Sequence, residues 1–366
     1  MDLTNWLAGR GHAVHVFARH SPLGIASFRS NVTFHGLDGD DGQALHRLDV
    51  QWPGRDVKAL ADRVVSVANT EGLDVLHVHY AVPFARVGCE VQGRLDGSAP
   101  RLVVTLHGTD VSVHGTDPLK GAALARSLSR FDAVTTVSRS HGALAARILH
   151  LKRSPLVIPN FVDPARFRPA EELDGPSRPA RIVHVSNFRA VKDPAAVGRI
   201  FVRVRRHIPA ELWLVGDGDG MPALRAVVRE AGLEPDVRAF GLRREVEAIL
   251  PSADLMLMTS REESFCLAAL EASACGVPVV APRVGGLSEV VVHEETGVLF
   301  PPGDEEEAAV AALRLLRDPA RRSAMGRAAV ARARTFASHL IAPRYEELYR
   351  LLLDSSRRPA LLGRAP

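Results

Sequence analysis

Apolar and polar positions along this chain fall into two alternating rhythms. Short runs of β-branched and aliphatic residues, at Ala13 to Ala18, Val75 to His79, Leu102 to Leu106 and Ala133 to Val137, predict strands. Longer stretches with apolar residues at helical spacing separate them. A second series follows at Arg181 to Val185, Glu211 to Val215, Asp236 to Phe240, Leu255 to Met258 and Pro278 to Ala281. Runs this apolar suit strands covered on both faces, as in a parallel sheet flanked by helices. The βα rhythm runs twice, so the expected class is α/β with two doubly wound domains.

The break between the two series is Pro159-Asn160-Phe161-Val162-Asp163-Pro164, followed by Arg168 to Pro179, rich in Pro, Glu and Ser. That places one domain at 1–163 and another at 175–335. The chain is expected to turn helical after Pro278 to Ala281. A helix at Leu340 to Leu353, with Tyr345, Leu348 and Leu352 at helical spacing, is expected to pack back on the first domain. Leu3 to Ala8 has the pattern of a helix end leading through Gly9 and Gly11 into the first strand. A doubly wound domain begins with a central strand whose following glycine turn points at the ligand. Both are missing from the pattern, and a start site further upstream is the expected reason.

The 366 residues exceed what one hydrophobic core organises, in keeping with two domains. A net charge of +4, from 46 basic and 42 acidic residues spread along the chain, gives no clustered basic face for nucleic acid. A small anionic substrate fits better. No apolar run is long enough to cross a bilayer, and Asp2 and Asn5 stand where a secretion signal carries basic residues, so a cytoplasmic location is expected. Cys89, Cys266 and Cys275 cannot all pair and form no CxxC, so buried thiols in a reducing compartment are expected.

Chemistry concentrates in Arg261-Glu262-Glu263-Ser264-Phe265-Cys266-Leu267-Ala268-Ala269-Leu270-Glu271-Ala272, then Cys275-Gly276-Val277-Pro278 and Gly285-Gly286-Leu287-Ser288-Glu289. The order is strand, polar loop, helix, strand, glycine loop. Glu263 falls in the loop, and the amides of Phe265 and Cys266 lie at a helix start, where they can meet a sugar or phosphate oxygen. Glu271 follows two turns on. Ionised carboxylates accept only, which suits adjacent sugar hydroxyls. An isolated pair of acids at this spacing is ordinarily solvated surface; its setting among SF, CGVP and GG makes it a site candidate.

This wording resembles glycosyltransferase family 4, and the resemblance covers nearly the whole chain. It implies the GT-B fold, two Rossmann-like domains with a cleft between them, and a UDP-sugar donor. The family's acidic pair falls on Glu263, which touches the transferred sugar, and Glu271, which touches the ribose of the nucleotide; Leu267 and Gly286 join the donor-binding set. No metal and no other cofactor is implied. A departing diphosphate then needs fixed cations and amide dipoles. Val185-Ser186-Asn187-Phe188-Arg189-Ala190-Val191-Lys192 offers Arg189 and Lys192 just after a predicted strand. Many members carry an arginine where this chain has Asn187. Gly216-Asp217-Gly218-Asp219-Gly220 also follows a strand and, by resemblance, faces the nucleotide through Gly216. Asp217 with Asp219, and Asp38 with Asp40, mimic a metal-binding DxD but have the composition of glycine turns.

The form SNFRxVK, with His77-Val78-His79-Tyr80-Ala81-Val82-Pro83, Thr105-Leu106-His107-Gly108-Thr109-Asp110 and Asn160-Phe161-Val162-Asp163, is similar to a narrower group, the enzymes that join N-acetylglucosamine to L-malate in bacillithiol synthesis. The resemblance makes His107 a residue of the catalytic centre with Glu263, Arg189 and Lys192. Tyr80, Thr109 and Asn160 become acceptor contacts, and a homo-oligomer is implied. His77 and His79 share a strand face, yet no third metal ligand accompanies them. The implied reaction is retaining transfer of N-acetylglucosamine from UDP-N-acetylglucosamine to L-malate. No obvious nucleophile faces the reacting carbon, which favours same-face displacement over a covalent intermediate. The group's glycine loop after the first strand has no counterpart here. The alternatives are another acceptor, an inositol phosphate or a lipid-linked sugar, and an inactive UDP-sugar binder. A dehydrogenase lacks support, because no GxGxxG follows an early strand.

Overall fold

The computed structural model describes residues 2–19, 29–37, 53–170 and 178–354. Asp38 and Asp40 lie outside the described residues, as do 171–177 of the expected linker. The chain forms two compact units: residues up to Pro159 together with those from Ser338, and Asn160–Ala337. The Asn160 to Asp163 segment, expected to end the first domain, therefore opens the second unit.

In the first unit the strands are β1 (Val14–Ala18), β2 (Val32–Gly36), β3 (Val75–His79), β4 (Arg101–Leu106), β5 (Ala133–Thr136) and β6 (Leu156–Val157). All are parallel, in two ladders, β1-β2 and β3-β4-β5-β6. Among the described residues no backbone pairing joins β1 to β3. The helices are α1 (Asp2–Gly9), α2 (Gly54–Glu71), α3 (Ala81–Leu95), the single turn α4 (Thr109–Ser112), α5 (Pro118–Leu128) and α6 (Arg139–Ile148). Their ends are written locally. Asp117 caps α5 by accepting from the amides of Leu119 and Lys120, with Pro118 in the first turn. Ser138 caps α6 through the amide of His141, and Gly72 closes α2 in the left-handed conformation at φ 71°. Val57, Leu60, Ala61 and Val64 of α2 pack with Ala85 and Val91 of α3 and Leu102, Val104 and Leu106 of β4 in one core.

The second unit holds β7 (Ala180–Val185), β8 (Ala210–Val215), β9 (Val237–Gly241), β10 (Leu255–Leu257), β11 (Val279–Pro282) and β12 (Gly297–Phe300). They form one parallel sheet ordered β12-β11-β10-β7-β8-β9. Its helices are α7 (Pro194–Arg205), α8 (Met221–Glu230), α9 (Leu267–Ala274), the short α10 (Leu287–Val290), α11 (Glu305–Arg317) and α12 (Pro319–Arg334). Ile182, Leu212, Leu214, Leu255 and Leu257 are buried in the sheet's core with Val197 and Phe201 of α7. Each such side chain is worth about 1.5–3 kcal/mol removed from water. Helix α11 starts at an Asp304 cap with Glu305, Glu306 and Glu307 in its first turn and has Arg314 and Arg317 in its last, matching charge to the helix dipole. The chain re-enters the first unit as α13 (Ser338–Leu353), which packs on α1 and β4. Glu346 of α13 pairs with His12 at 3.1 Å and Arg10 at 3.4 Å.

Three strands were not expected: β2, the two-residue β6 and β12. The expectation that the chain turns helical after 281 is corrected by β12, a four-residue edge strand beside β11. The two-residue β6 is too short for a period of two to be detectable.

Candidate functional site

The sheet of the second unit changes direction of winding between β7 and β10, the point at which open α/β sheets bind ligands beyond their strand ends. The loops leaving those two strands carry the cations and the acids named from the sequence. After β7 come Ser186 to Lys192, and after β10 come Met258 to Cys266. Lys192 Nζ donates to Glu263 Oε1 at 2.6 Å, and Ser260 Oγ donates to the same oxygen at 2.7 Å. The Glu263 side chain is only 7% exposed and that of Lys192 21%, so the pair is held largely out of water. Thr259 Oγ1 donates to the carbonyl oxygens of Lys192 at 2.7 Å and Asp193 at 3.1 Å, fixing the turn that carries the lysine. Asp193, left-handed at φ 45°, caps α7 and accepts from Arg261 at 2.9 Å.

Buried imidazole and bare backbone hold these loops. His184 lies within β7, with Nδ1 2.8 Å from Leu257 O and Nε2 2.8 Å from Ser186 Oγ. The carbonyl can only accept, so Nδ1 carries the proton and Nε2 accepts from the serine hydroxyl. Ser186 Oγ accepts in turn from the Phe188 amide at 3.0 Å. Burial pushes the His184 pKa down to about 4, so the ring is neutral at physiological pH. A Cβ on Gly216 would meet Ser186 O at 1.8 Å, one on Gly218 would meet Asn187 O at 2.0 Å, and one on Gly220 would meet Phe188 O at 2.5 Å. The glycine turn thus lies flat against the cation-bearing loop, as only glycine allows. Likewise a Cβ on Gly285 or Gly286 would stand 2.0 Å from Glu263 O or 2.1 Å from Ser264 O. The Gly216 amide donates to Gly241 O and the Gly286 amide to Glu263 O. These two glycines therefore act through close approach rather than through a free amide.

Helix α9 begins after Cys266, which is left-handed at φ 77°. Phe265 is buried edge-on to Phe336, with ring centres 5.6 Å apart, and Leu267 is exposed. Glu271 is half-buried on α9, Arg189 is half-buried ahead of the turn holding Lys192, and Asn187 Oδ1 is buried without a protein partner. All three cysteines are free thiols; burial raises Cys266 and pushes Cys275 up to about 12.

In the first unit, the ends of β3 and β4 bring His79, Tyr80 and His107 together. His79 Nδ1 lies 3.0 Å from His107 Nε2, and the rings of Tyr80 and His107 are 4.6 Å apart. Tyr80 is left-handed at φ 64° and 47% exposed. Burial pushes the His107 pKa down to about 4, against an upward pull from Asp110 and with a further downward push from His141. His77 sits apart in function: its Nδ1 is 2.6 Å from the Tyr349 hydroxyl and its Nε2 2.7 Å from Thr105 Oγ1. It fastens α13 to the sheet. Among the described residues no group of three His, Cys, Asp or Glu is placed to hold a metal ion. Thr109 opens α4, half-buried, beside His107. Asn160 belongs to the second unit, so the acceptor-side candidates are divided between units. Thr259, Ser260 and His184 were missed by sequence reasoning. Thr259 and Ser260 were in reach, since they follow directly on a predicted strand; a strand-interior histidine carries no such signal.

Among the described helices none is long and apolar enough to cross a membrane. The family model for Glycosyltransferase Family 4 matches residues 1–166, and that for Glycosyl transferases group 1 matches residues 179–318. The chain is 34% identical over 355 residues, 95% of its length and 91% of the relative's, to N-acetyl-alpha-D-glucosaminyl L-malate synthase of Bacillus anthracis. It is 27% identical to D-inositol 3-phosphate glycosyltransferase of an Arthrobacter species, covering 96% of this chain and 89% of that one. Sucrose-phosphate synthase from Thermosynechococcus elongatus has the same fold, with a TM-score of 0.79, 24% identity, and coverage of 96% of this chain and 91% of that one. With two parallel α/β units, site loops at the sheet's switch point and this similarity end to end, the chain belongs to glycosyltransferase family 4 and has the GT-B fold.

Proposed function

We propose that the chain transfers N-acetylglucosamine from UDP-N-acetylglucosamine to the hydroxyl of L-malate, with retention at the sugar carbon and without a metal. The observation that carries this reading is the Lys192–Glu263–Ser260 cluster at the switch point, in a chain similar over 95% of its length to an N-acetylglucosaminyl L-malate synthase. Glu263 accepts from sugar hydroxyls. Lys192 and Arg189 supply the positive charge that a diphosphate leaving group requires. In the transfer the bond from the sugar carbon to the β-phosphate oxygen breaks, and a bond to the malate oxygen forms on the same face. The malate hydroxyl proton passes to the departing phosphate oxygen, giving UDP and the α-glycoside. The first unit supplies His107, Tyr80 and Thr109 on the acceptor side, and Glu271 on α9 takes the ribose.

An inositol phosphate acceptor is the second reading, supported by the near full-length similarity to an inositol 3-phosphate glycosyltransferase. The test is UDP release from UDP-N-acetylglucosamine in EDTA, with L-malate, with inositol 3-phosphate and with neither. Release that requires malate, with a product whose anomeric proton coupling is that of an α-glycoside, is the expected result. Release only with inositol phosphate establishes the second reading, and release abolished by EDTA overturns metal independence.

A further inference from the structure

Asp110 is 1% exposed. Its partners are amides from two separate turns. One carboxylate oxygen accepts from Ala81 N–H at 3.2 Å and His107 N–H at 3.2 Å. The other accepts from Gly108 N–H at 2.9 Å and Val111 N–H at 3.2 Å. Ala81 follows β3 and the other three follow β4, so one side chain staples the ends of neighbouring strands. Only an ionised carboxylate has acceptor sites for four donors on two oxygens; an amide has one accepting oxygen.

We propose that Asp110 is a positioning residue, whose carboxylate fixes the turn after β3 to the turn after β4 and so sets the Tyr80 and His107 rings against each other. The backbone needs such a fastening. Tyr80 is held at φ 64°, a left-handed conformation uncommon for any residue but glycine, and Gly108 stands at φ 151°, where glycine is the residue that goes freely. The Tyr80 amide goes to Thr105 O at 3.1 Å, but the acceptor the structure gives to the amides of Ala81, His107 and Gly108 is the Asp110 carboxylate. The titratable groups that feel Asp110 are His107 in its own turn, His114 just beyond α4, and His141 on α6. His79 on β3 meets Nε2 of the His107 ring at 3.0 Å. The inference rests on the acceptor-side reading of His107 and Tyr80 given above.

The experiment compares this chain with its Asp110→Asn and Asp110→Glu variants. In the wild type, the amides of Ala81, His107 and Gly108 exchange with deuterium as slowly as those of β4. In Asp110→Asn they exchange faster while β4 stays protected, and kcat falls about 10- to 100-fold at unchanged donor KM, the size of loss that a misplaced reacting group produces. Nuclear magnetic resonance of the His107 ring then shows its pKa falling further below about 4, since the neutral side chain no longer favours the charged imidazole. Asp110→Glu restores part of kcat. Wild-type kcat in Asp110→Asn, or a His107 titration that does not move, overturns the proposal. Should Asp110→Asn fail to fold, fast exchange of the three amides in the wild type overturns it alone. Exchange and ring titration need no substrate, so a chain inactive on every acceptor refutes the functional reading and leaves the staple standing.

Discussion

The two units fix their functional groups with different emphasis, the second adding close backbone contacts to the bridges made by His184, Thr259 and Ser260. In the second, loops meet backbone to backbone: Gly216, Gly218 and Gly220 lie against Ser186 to Phe188, and Gly285 and Gly286 lie against Glu263 and Ser264. In the first, side chains span the gaps: Asp110 gathers amides, His77 joins α13 to β4, and His79 meets His107. Close backbone packing tolerates no added atom but is indifferent to pH. Buried imidazoles tolerate some change of shape, yet each is tied to one protonation state. The second unit should therefore be the more brittle to small steric change, and the first, with His77 and His107 against the second unit's His184, the more sensitive to acid.

The largest effect is expected at the ion pair in the second unit. Lys192→Ala removes a cation from the leaving-group side and strands Glu263, which is nearly buried. Loss of one such electrostatic contact costs about 10²–10³-fold in rate. Steady-state UDP release from Lys192→Ala and from His107→Ala measures both sides of the molecule. The lysine variant should be slower, with the fold intact by circular dichroism. Equal losses would break the idea that charge stabilisation resides mainly in the second unit.

Lys192 and Glu263 were legible because each lies in a loop following a run of strand residues, inside a motif a few residues long. The β7 to β11 series was legible for the same reason: its strands are short runs rich in apolar residues, and their period differs from that of the helices between them. Asp110 and His184 were not. His184 bonds Leu257, 73 positions away, and Asp110 bonds Ala81, 29 positions away, and neither partner is visible as a pattern in the sequence. Gly216 and Gly286 were chosen from the sequence as donor-binding positions, and the structure shows how each is built into its loop. Their N–H groups are consumed within the chain, and it is the missing Cβ that matters.

The next effect sharpens the steric half of the contrast. Gly286→Ala places a Cβ 2.1 Å from Ser264 O, a backbone atom that cannot swing aside. About 3 kcal/mol of stability should be lost, the upper end for overpacking, with a lower melting temperature. Gly54→Ala, where nothing lies within 4 Å of the added carbon, is its control in the first unit and should leave stability unchanged or slightly raised. A Gly286→Ala protein as stable as its parent would show the loops to be loosely packed after all.

Acid tests the other half. The pKa values of His77, His107 and His184 are pushed below 6.5 by burial, to about 3, about 4 and about 4. In the unfolded chain each ring takes up its proton near 6.5, so the unfolded state binds more protons between that pH and the folded value. Stability therefore rises with pH across this window and is lost as pH falls from 6.5 towards 4. His184 alone accounts for at most about 3 kcal/mol of that loss. Because His77 and His107 both belong to the first unit, hydrogen exchange at pH 5 should accelerate there before it does in the second. Simultaneous opening would erase the distinction.

The smallest effect belongs to a pair that both units display in plenty. Lys58 and Asp62 on α2 stand 3.0 Å apart one helical turn from each other, both side chains well exposed at 66% and 49%. Solvent screens their attraction, and holding two long side chains costs entropy, so Lys58→Ala should leave the melting temperature unchanged. Asp254 of the second unit is the informative opposite. Its side chain is 9% exposed, with Arg178 at 2.6 Å and Arg322 at 3.2 Å, and it accepts the Arg181 amide as β7 begins. Asp254→Asn keeps the shape and removes the charge from between two arginines, so its melting temperature should drop where that of Lys58→Ala does not. If both variants melt with the parent, buried charge contributes no more to the second unit than surface charge does to the first.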